Sequence, residues 1–240
     1  MTDIRELWDF ENPAGSEDRF RAAASDAPDD ERAILLTQVA RALGLQERYD
    51  EGHSVLDELL LGPRTAAVDA RIALERGRLL RSAGDSEAAR PCFDHAAAVA
   101  ERAGLEDLRV DAIHMLALLA TEPADAVLLN GQALAVARAA EDPEARRWEA
   151  SLLNNLGCAL VDAGRLDDAL STFEEAYAVR SASGQHRETQ IARWMVAWTL
   201  RLLGRTDEAR QLQLALKAEL DAEGTEDPYV DEELALLGPG

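Results

Sequence analysis

Apolar residues recur at every third or fourth position along most of the chain, in stretches separated by short polar turns. This spacing is typical of amphipathic helices, whereas a half-buried strand would alternate apolar and polar residues. The stretches come in pairs, and the first helices of these pairs lie at residues 35–44, 73–84, 112–120, 152–164 and 193–204. The pattern therefore predicts an all-α chain that contains five consecutive helix–turn–helix units.

Small residues occupy the same place in each unit. In the first helices they are Ala40, Gly77, Ala117, Gly157 and Ala197, which are spaced by 37, 40, 40 and 40 residues. In the second helices they are Gly52, Ala89, Ala126, Ala169 and Ala209. Because small side chains let two helix backbones approach closely, we expect the two helices of each unit to cross at these positions.

The turns agree with this division into helices. Gly84, Gly164 and Gly204 follow three of the first helices, and glycine just past a helix end suits the left-handed cap conformation. Acidic residues then open the second helices, as at Asp167-Asp168, where the helix dipole favours negative charge.

The fourth unit is the clearest copy of a known repeat. Its key residues are Leu156-Gly157, Gly164, Leu166, Ala169, Phe173 and Ala176. This series resembles the tetratricopeptide repeat, and the chain is similar to bacterial proteins of that family. The resemblance covers residues 29–223 and implies an α-solenoid, a right-handed superhelix of about five repeats. The third copy is degenerate, with a shortened turn at Thr121-Glu122-Pro123.

The two ends differ from the repeats. Residues 1–28 are predicted to form an irregular lead-in through residue 15, with Trp8 and Phe10 docked on the first repeat, followed by a short capping helix. Residues 224–240 are predicted to form a helix from Asp227-Pro228 to Leu237 and a frayed tail. Terminal repeats expose an apolar face and need such caps.

In this family the first helix of each repeat lines a concave groove that binds peptides. The resemblance implies that the residue three before each small position faces this groove, namely Thr37, Leu74, His114, Asn154 and Trp194. One helical turn later on the same face come Arg41, Arg78, Leu118, Cys158 and Trp198, and one turn earlier come Ile34, Arg71, Asp111, Ser151 and Ile191.

Arg41, Arg71 and Arg78 form a basic stripe in the N-terminal half of this predicted groove. Arginine presents a planar fork of donors that suits carboxylates and phosphates. One interpretation is that the stripe receives an acidic peptide, a C-terminal carboxylate or a phosphate. The other is that the arginines pair with nearby acids such as Glu75, Asp69 and Glu47, as most surface charges do.

Trp194 and Trp198 lie one turn apart and are candidate anchors for an apolar side chain of a partner. The alternative is that they pack against the C-terminal helix. Asn154 is expected to point into the groove, and Asn155 to bond either a partner or a neighbouring helix. Clamps in this family that hold chaperone tails use lysine and asparagine at set groove positions. This chain has Thr37 and Arg41 there and no groove lysine, so that activity is not predicted.

Charge excludes several classes of partner. The chain has 46 acidic and 25 basic residues, a net charge of −21 and a pI near 4.5, so it repels nucleic acids and anionic membranes. Its first ten residues contain no apolar signal region, and no apolar run approaches the length of a membrane span. We expect a cytoplasmic protein that binds neither nucleic acid nor membrane.

The residues offer little for catalysis. His53, His95, His114 and His186 fall in no close ligand spacing, so no metal site and no cofactor are predicted. Cys158 and His114 are the one candidate pair for nucleophilic chemistry, and nothing in the sequence predicts an oxyanion hole beside them.

The sequence therefore predicts a scaffold or adaptor that is not an enzyme. We expect its groove to bind a protein or peptide that carries an acidic segment. The alternative is a structural subunit that acts through self-association, as a homo-oligomer, or through assembly into a larger complex.

Overall fold

The computed structural model of this chain describes residues 3–238. These residues form fourteen α-helices and no strand. The first seven are α1 (Ile4–Leu7), α2 (Pro13–Ser25), α3 (Asp29–Leu45), α4 (Tyr49–Leu60), α5 (Ala66–Ser82), α6 (Ser86–Ala103) and α7 (Glu106–Ala117). The other seven are α8 (Pro123–Ala139), α9 (Pro143–Arg146), α10 (Glu149–Asp162), α11 (Leu166–Ala182), α12 (His186–Leu202), α13 (Thr206–Glu223) and α14 (Pro228–Leu237). The predicted all-α class is confirmed.

The helices belong to two compact units. Unit 1 holds the residues up to Leu119 together with Ala140–Ala145, and unit 2 holds Ala120–Ala139 together with the residues from Arg146 onward. The third predicted pair is divided between them, because α7 lies in unit 1 and α8 in unit 2. This division falls at the turn where the repeat pattern is weakest. The boundaries proposed from sequence, 1–28, 29–223 and 224–240, stay a prediction.

Unit 1 is a series of packed helices in which α2 lies on α3, α3 on α4 and α5, α5 on α6, and α6 on α7. One apolar cluster joins α2 to α3 through Phe20, Leu35 and Leu43. A second cluster, which includes Leu56 and Leu79, joins α4 to α5. Fully burying a side chain of this size contributes about 1.5–3 kcal/mol, so these contacts supply the main stabilisation of the pairs.

Unit 2 repeats this arrangement. Helix α8 lies on α10, α10 on α11, α11 on α12, α12 on α13 and α13 on α14. Phe173 is fully buried in an apolar cluster that also contains Leu160 and Leu200. Leu216 and Leu220 of α13 cover Val230 of α14. The C-terminal helix therefore closes the apolar face of the last helix pair, as predicted.

The four predicted helix pairs that lie within one unit, α3 with α4, α5 with α6, α10 with α11 and α12 with α13, pack on each other as predicted. Nine of the ten predicted small positions are buried. The exception is Ala126, which lies in the degenerate third copy and is partly exposed. At two crossings an aromatic ring rests directly on a glycine. A Cβ at Gly77 would lie 2.4 Å from Cε1 of Phe93, and a Cβ at Gly157 would lie 2.4 Å from Cε1 of Phe173.

This contact makes Gly157→Ala a test of the packing. The added methyl group must displace the buried ring of Phe173, and overpacking of this kind costs about 1–3 kcal/mol. Gly131→Ala is the matched control, because Gly131 also lies inside a helix but a Cβ there would meet no neighbouring atom within 4 Å. That change is expected to stabilise the protein by about 0.5–1 kcal/mol. Urea unfolding of both variants measures the difference, and equal effects would contradict the packing argument.

The predicted helix ends are also confirmed. Gly84, Gly164 and Gly204 adopt φ values of 90°, 71° and 76°, in the left-handed region. At each of these turns the residue after the glycine donates its backbone N–H to a carbonyl of the preceding helix, for example Arg165 N to Leu160 O at 2.8 Å. The glycines thus cap the orphan carbonyls that end the first helices.

The N-terminal lead-in is more ordered than predicted. The expectation of irregular structure through residue 15 was wrong, because α1 forms at Ile4–Leu7 and α2 begins at Pro13. The side chain of Asn12 accepts a hydrogen bond from the backbone N–H of Gly15 at 3.0 Å. Asparagine at the cap followed by proline at the first helical position is a strong start signal. At the other end, the predicted tail lies outside the described residues except for Gly238.

Candidate functional site

A group of charged residues lies on the first helices of unit 1, and we call it the unit 1 charged cluster: Arg41, Arg71, Glu75, Arg78 and Asp111. Arg78 donates to Oε1 of Glu75 at 2.6 Å and to both carboxylate oxygens of Asp111 at 2.5 and 2.7 Å. Glu75 and Asp111 are both buried. Arg78 therefore fits the second interpretation of the basic stripe, in which the arginines pair with nearby acids of the same chain.

The ionisation of this group follows from its surroundings. Burial by itself raises the pKa of Asp111, but Arg78 and Arg41 outweigh burial and hold that pKa below its ordinary value. Burial likewise lowers the pKa of Arg78, and Asp111 and Glu75 more than restore it. The pair is fully ionised at neutral pH.

Arg41 differs from Arg78 because it forms no ion pair or hydrogen bond within residues 3–238. Its guanidinium carbon lies 5.6 Å from the ring centre of Trp8 and 5.8 Å from that of Phe10. These two rings stack on each other at 4.8 Å, and the indole N–H of Trp8 donates to Gln38 at 3.1 Å. The predicted docking of the two aromatics on the first repeat is thus observed, and it covers Arg41.

Arg71 also has no ion pair or hydrogen bond within the described residues, and its Nε atom is buried. Burial is the largest effect that lowers the pKa of Arg41, and the positive charges of Arg78 and Arg71 lower it further. The negative charges of Glu75 and Asp111 act in the opposite direction. Three guanidinium groups therefore face two carboxylates in this cluster.

Three other residues predicted to line the groove of unit 1 behave differently. Thr37 is fully buried and donates its hydroxyl to the carbonyl of Ile34 at 2.6 Å. Leu74 is buried among the helices, so neither side chain is available as an open contact. His114 is partly buried, and burial lowers the pKa of its imidazole, which is therefore neutral at pH 7.

Unit 2 carries two shallow pockets near its predicted groove residues. Asn154 and Asn155 line one of them, of about 240 Å³, together with Ser151, Arg180 and Ile191. The side chain of Asn154 forms no hydrogen bond with any of residues 3–238. Its amide is therefore free to bond another molecule.

Trp194 and Trp198 stack on each other, with ring centres 6.0 Å apart. The indole N–H of Trp194 donates to the backbone carbonyl of Tyr229 at 3.2 Å, and the two rings meet edge to face at 6.3 Å. Trp198 packs on the core around Phe173. The interpretation in which the tryptophans pack against the C-terminal helix is therefore observed for Trp194.

Trp194 nevertheless keeps one side open. It lines an apolar pocket of about 310 Å³ with Ile191, Leu216 and Tyr229. At the edge of this pocket, Arg187 pairs with Asp227 at 2.8 Å. Sequence reasoning missed Tyr229 and this ion pair. The signal that could have found them is the predicted helix start at Asp227-Pro228. A helix that begins there brings Asp227 and Tyr229 onto the surface of the preceding helix pair.

The cysteines do not support nucleophilic chemistry. Burial raises the pKa of the Cys158 thiol, and the nearby Asp162 raises it further. Burial also raises the pKa of Cys92. Because the thiolate is the reactive form, both thiols are poor nucleophiles at neutral pH. Among the helices of residues 3–238, none is both long and apolar enough to cross a bilayer.

Comparison with known proteins agrees with this architecture. Residues 148–214, a little over a quarter of the chain, match the family model described as "Tetratricopeptide repeat". This segment, from Trp148 just before α10 through the first half of α13, is therefore similar to tetratricopeptide repeats. We found no match among curated proteins.

Solved structures extend the likeness in fold to most of the chain. The apo form of RapI has a TM-score of 0.78 at 10% identity, covering 98% of this chain and 69% of RapI. A putative kinesin light chain of Podosopora anserina with nearly identical TPR-like repeats has a TM-score of 0.66 at 16% identity, covering 83% and 100%. NprR in complex with its cognate peptide NprX has a TM-score of 0.56 at 13% identity, covering 98% and 69%. The chain thus has the fold of tetratricopeptide-repeat solenoids.

Proposed function

We propose that this chain is a scaffold that binds a protein or peptide partner, and that the unit 1 charged cluster receives an acidic segment of that partner. One observation carries the proposal. Arg41 and Arg71 have no carboxylate partner within residues 3–238, although acidic residues outnumber basic ones by 46 to 25. In so acidic a chain, two arginines left unmatched on one face favour a carboxylate supplied by another molecule.

The charge balance of the cluster supports this assignment. Three guanidinium groups and two carboxylates leave one uncompensated positive charge in a partly buried place. Because an unpaired charge away from water is costly, an anion at Arg41 and Arg71 would lower the free energy of the whole group.

The stacking of Arg41 favours the same role. Aromatic rings attract the face of a guanidinium group, whereas its N–H donors lie at the edge. The guanidinium carbon of Arg41 lies 5.6 and 5.8 Å from the ring centres of Trp8 and Phe10. Its N–H donors have no partner among residues 3–238, so they can form hydrogen bonds with a carboxylate. A side chain held in this way loses less conformational freedom when the partner binds.

Unit 2 offers contacts of a different kind. The free amide of Asn154 suits the backbone of an extended peptide. The pocket at Trp194 suits one apolar side chain, and aromatic residues in such pockets often anchor partners. We propose these two positions as further contacts for a protein partner, separate from the unit 1 charged cluster.

Two similarities support a binding role. NprR, which has the same fold, is known in complex with its cognate peptide. Residues 148–214 match the tetratricopeptide repeat family, and resemblance to that family implies peptide or protein binding. The cytoplasmic location that we infer from sequence belongs to the same proposal, and the strongly acidic composition is consistent with it.

Self-association is the second candidate function. Leu214 of α13 and Tyr229 and Leu236 of α14 are all more than half exposed, at the C-terminal end of unit 2. Exposed apolar side chains of this size favour contact with another chain. Light scattering across a range of concentrations separates the two candidates, because a constant monomer mass would count against self-association.

The binding proposal is tested with a labelled library of acidic peptides, with or without a free C-terminal carboxylate, and with matched peptides in which Asn and Gln replace the acids. We expect some acidic peptides to bind the wild type, and Arg41→Glu/Arg71→Glu to bind them at least about 100-fold more weakly. A hydrogen bond to a charged group contributes about 1.5–3 kcal/mol, and two would be lost. Fluorescence anisotropy measures the affinities.

Arg90→Glu/Arg102→Glu is the matched control. It changes the net charge by the same amount, and both residues are exposed on α6. Because exposed charges are screened, we expect it to alter the affinities by no more than a few-fold. Circular dichroism confirms that each variant is folded. Equal losses in the two double variants would show that overall charge, rather than the unit 1 charged cluster, governs binding.

A further inference from the structure

Three residues with metal-binding side chains converge in unit 2, where α12 begins and α13 ends. His186 is the first residue of α12, and Glu219 and Glu223 lie one turn apart on α13. The Nε2 atom of His186 lies 2.7 Å from Oε1 of Glu223 and 3.8 Å from Oε1 of Glu219. One donor atom from each residue lies within 4.8 Å of the other two.

A buried amide marks the centre of this group. Gln190, one turn after His186, is only 3% exposed. Its Nε2 atom lies 3.1 Å from Nε2 of His186, 3.3 Å from Oε1 of Glu219, and 3.4 and 3.2 Å from the two oxygens of Glu223. An amide nitrogen carries two protons, so it cannot donate one to each of the three carboxylate oxygens around it. The lone pairs of the carboxylate oxygens at this point therefore outnumber the N–H groups that Gln190 can offer them, and such an excess of lone pairs suits a cation.

The surrounding residues prepare Glu219 to act as a ligand. Arg193 binds its other oxygen, Oε2, and leaves Oε1 directed at His186 and Gln190. Hydrogen bonds from outer residues that fix a ligating carboxylate are a regular feature of metal sites.

We propose that His186, Glu219 and Glu223 bind a divalent transition-metal ion of the zinc type, with Gln190 as a fourth ligand. A half-turn of the Gln190 amide breaks the hydrogen bond that its carbonyl oxygen accepts from Nη1 of Arg187 at 3.4 Å, and it brings that oxygen to the place now held by the amide nitrogen. The site then offers one imidazole nitrogen, two carboxylates and one amide oxygen. Zinc accepts this mixture of nitrogen and oxygen ligands, whereas magnesium and calcium prefer oxygen alone.

The metal would join the start of α12 to the end of α13. These two helices form the last helix pair of the chain, so the ion would stabilise that pair by mass action, as any ligand of the folded state does. The proposal does not depend on the binding function proposed above, although Gln190 also lines the pocket at Trp194.

The experiment titrates chelator-treated full-length protein with zinc ions by isothermal calorimetry, beside His186→Ala, Glu223→Gln and Gln190→Met. The wild type is expected to bind one ion at a site that His186→Ala and Glu223→Gln weaken by at least about 100-fold. Changes in residues around a metal ligand cost about 10–100-fold in affinity, and loss of a direct ligand costs no less. Gln190→Met is expected to weaken binding by about 10-fold or more on the same scale. Zinc should also raise the melting temperature of the wild type and not that of His186→Ala.

His95→Ala is the matched control. His95 is also an exposed histidine paired with a carboxylate, Asp69, at 3.1 Å, but with one acid instead of two. We expect this variant to bind zinc with wild-type affinity. Binding that is equal in the wild type and His186→Ala, or that requires many ions per chain without a distinct first site, would overturn the proposal, since scattered carboxylates of this acidic protein would then account for it.

Discussion

Replacing Arg78 with methionine is expected to lower the free energy of unfolding of unit 1 by about 3–5 kcal/mol at pH 7. Arg78 is the direct partner of both Glu75 and Asp111, and both carboxylates are buried. Methionine keeps most of the volume but removes the charge, so two buried anions lose their hydrogen-bonded cation. Urea unfolding followed by circular dichroism measures the loss.

The pH dependence of this variant has a definite sign. In the wild type the folded-state pKa of Asp111 is lowered, so the pair contributes its stability above the ordinary pKa of a carboxyl, and this contribution is lost as pH falls through the folded value. Without Arg78, Arg41 is left to oppose the penalty that burial places on the charged form of Asp111 without a hydrogen bond to it, and protonation of Asp111 relieves that penalty. The gap between wild type and Arg78→Met is therefore expected to be widest at pH 7 and to narrow toward pH 4.

Arg76→Met is the matched control, because it makes the same substitution two residues earlier on α5. Arg76 pairs at 2.5 Å with Asp57, whose side chain is mostly exposed. Exposed ion pairs contribute about 0–1 kcal/mol, so a small effect is expected. If Arg76→Met and Arg78→Met were equally unstable, the cost would arise from the substitution itself and not from the buried anions.

The helices could be predicted because their signals are local. The spacing of apolar residues, the glycines after helix ends and the small positions each depend on a few neighbours along the chain. Gly157 and Phe173 belong to the same helix pair, so their contact follows from the repeat itself. The start of α2 was misjudged because Asn12-Pro13 was taken for a loop rather than a helix start.

The candidate site was harder to predict because its contacts join distant helices. Sequence analysis placed Asp111 on the groove face but did not recognise it as a partner of Arg78, 33 residues away. That contact depends on the offset between α5 and α7, which periodicity does not reveal. The cover that Trp8 and Phe10 form over Arg41 depends on the path of an irregular segment. The group at His186 was missed for a similar reason, because its acids lie 33 and 37 residues away.

Replacing Phe173 with alanine is expected to destabilise unit 2 by about 3–5 kcal/mol, since a fully buried ring is removed and the cavity is only partly refilled. Phe173 is in contact with the Gly157 backbone and lies in the cluster of α10, α11, α12 and α13. Phe93 holds the corresponding place beside Gly77 in unit 1. Each ring is thus the central packing residue of its own helix pair.

Hydrogen exchange provides a local test of this packing, because a repeat depends chiefly on its nearest neighbours. We expect Phe173→Ala to reduce amide protection in α10, α11 and α12, and Phe93→Ala to do so in α5, α6 and α7. Tyr177→Ala is the control, one turn later on α11, where the ring is exposed; a change there should stay within about 0.5 kcal/mol. If Tyr177→Ala cost as much as Phe173→Ala, the stability of this pair would depend on its outer surface, and the fit of a ring against glycine would not be what specifies the repeat.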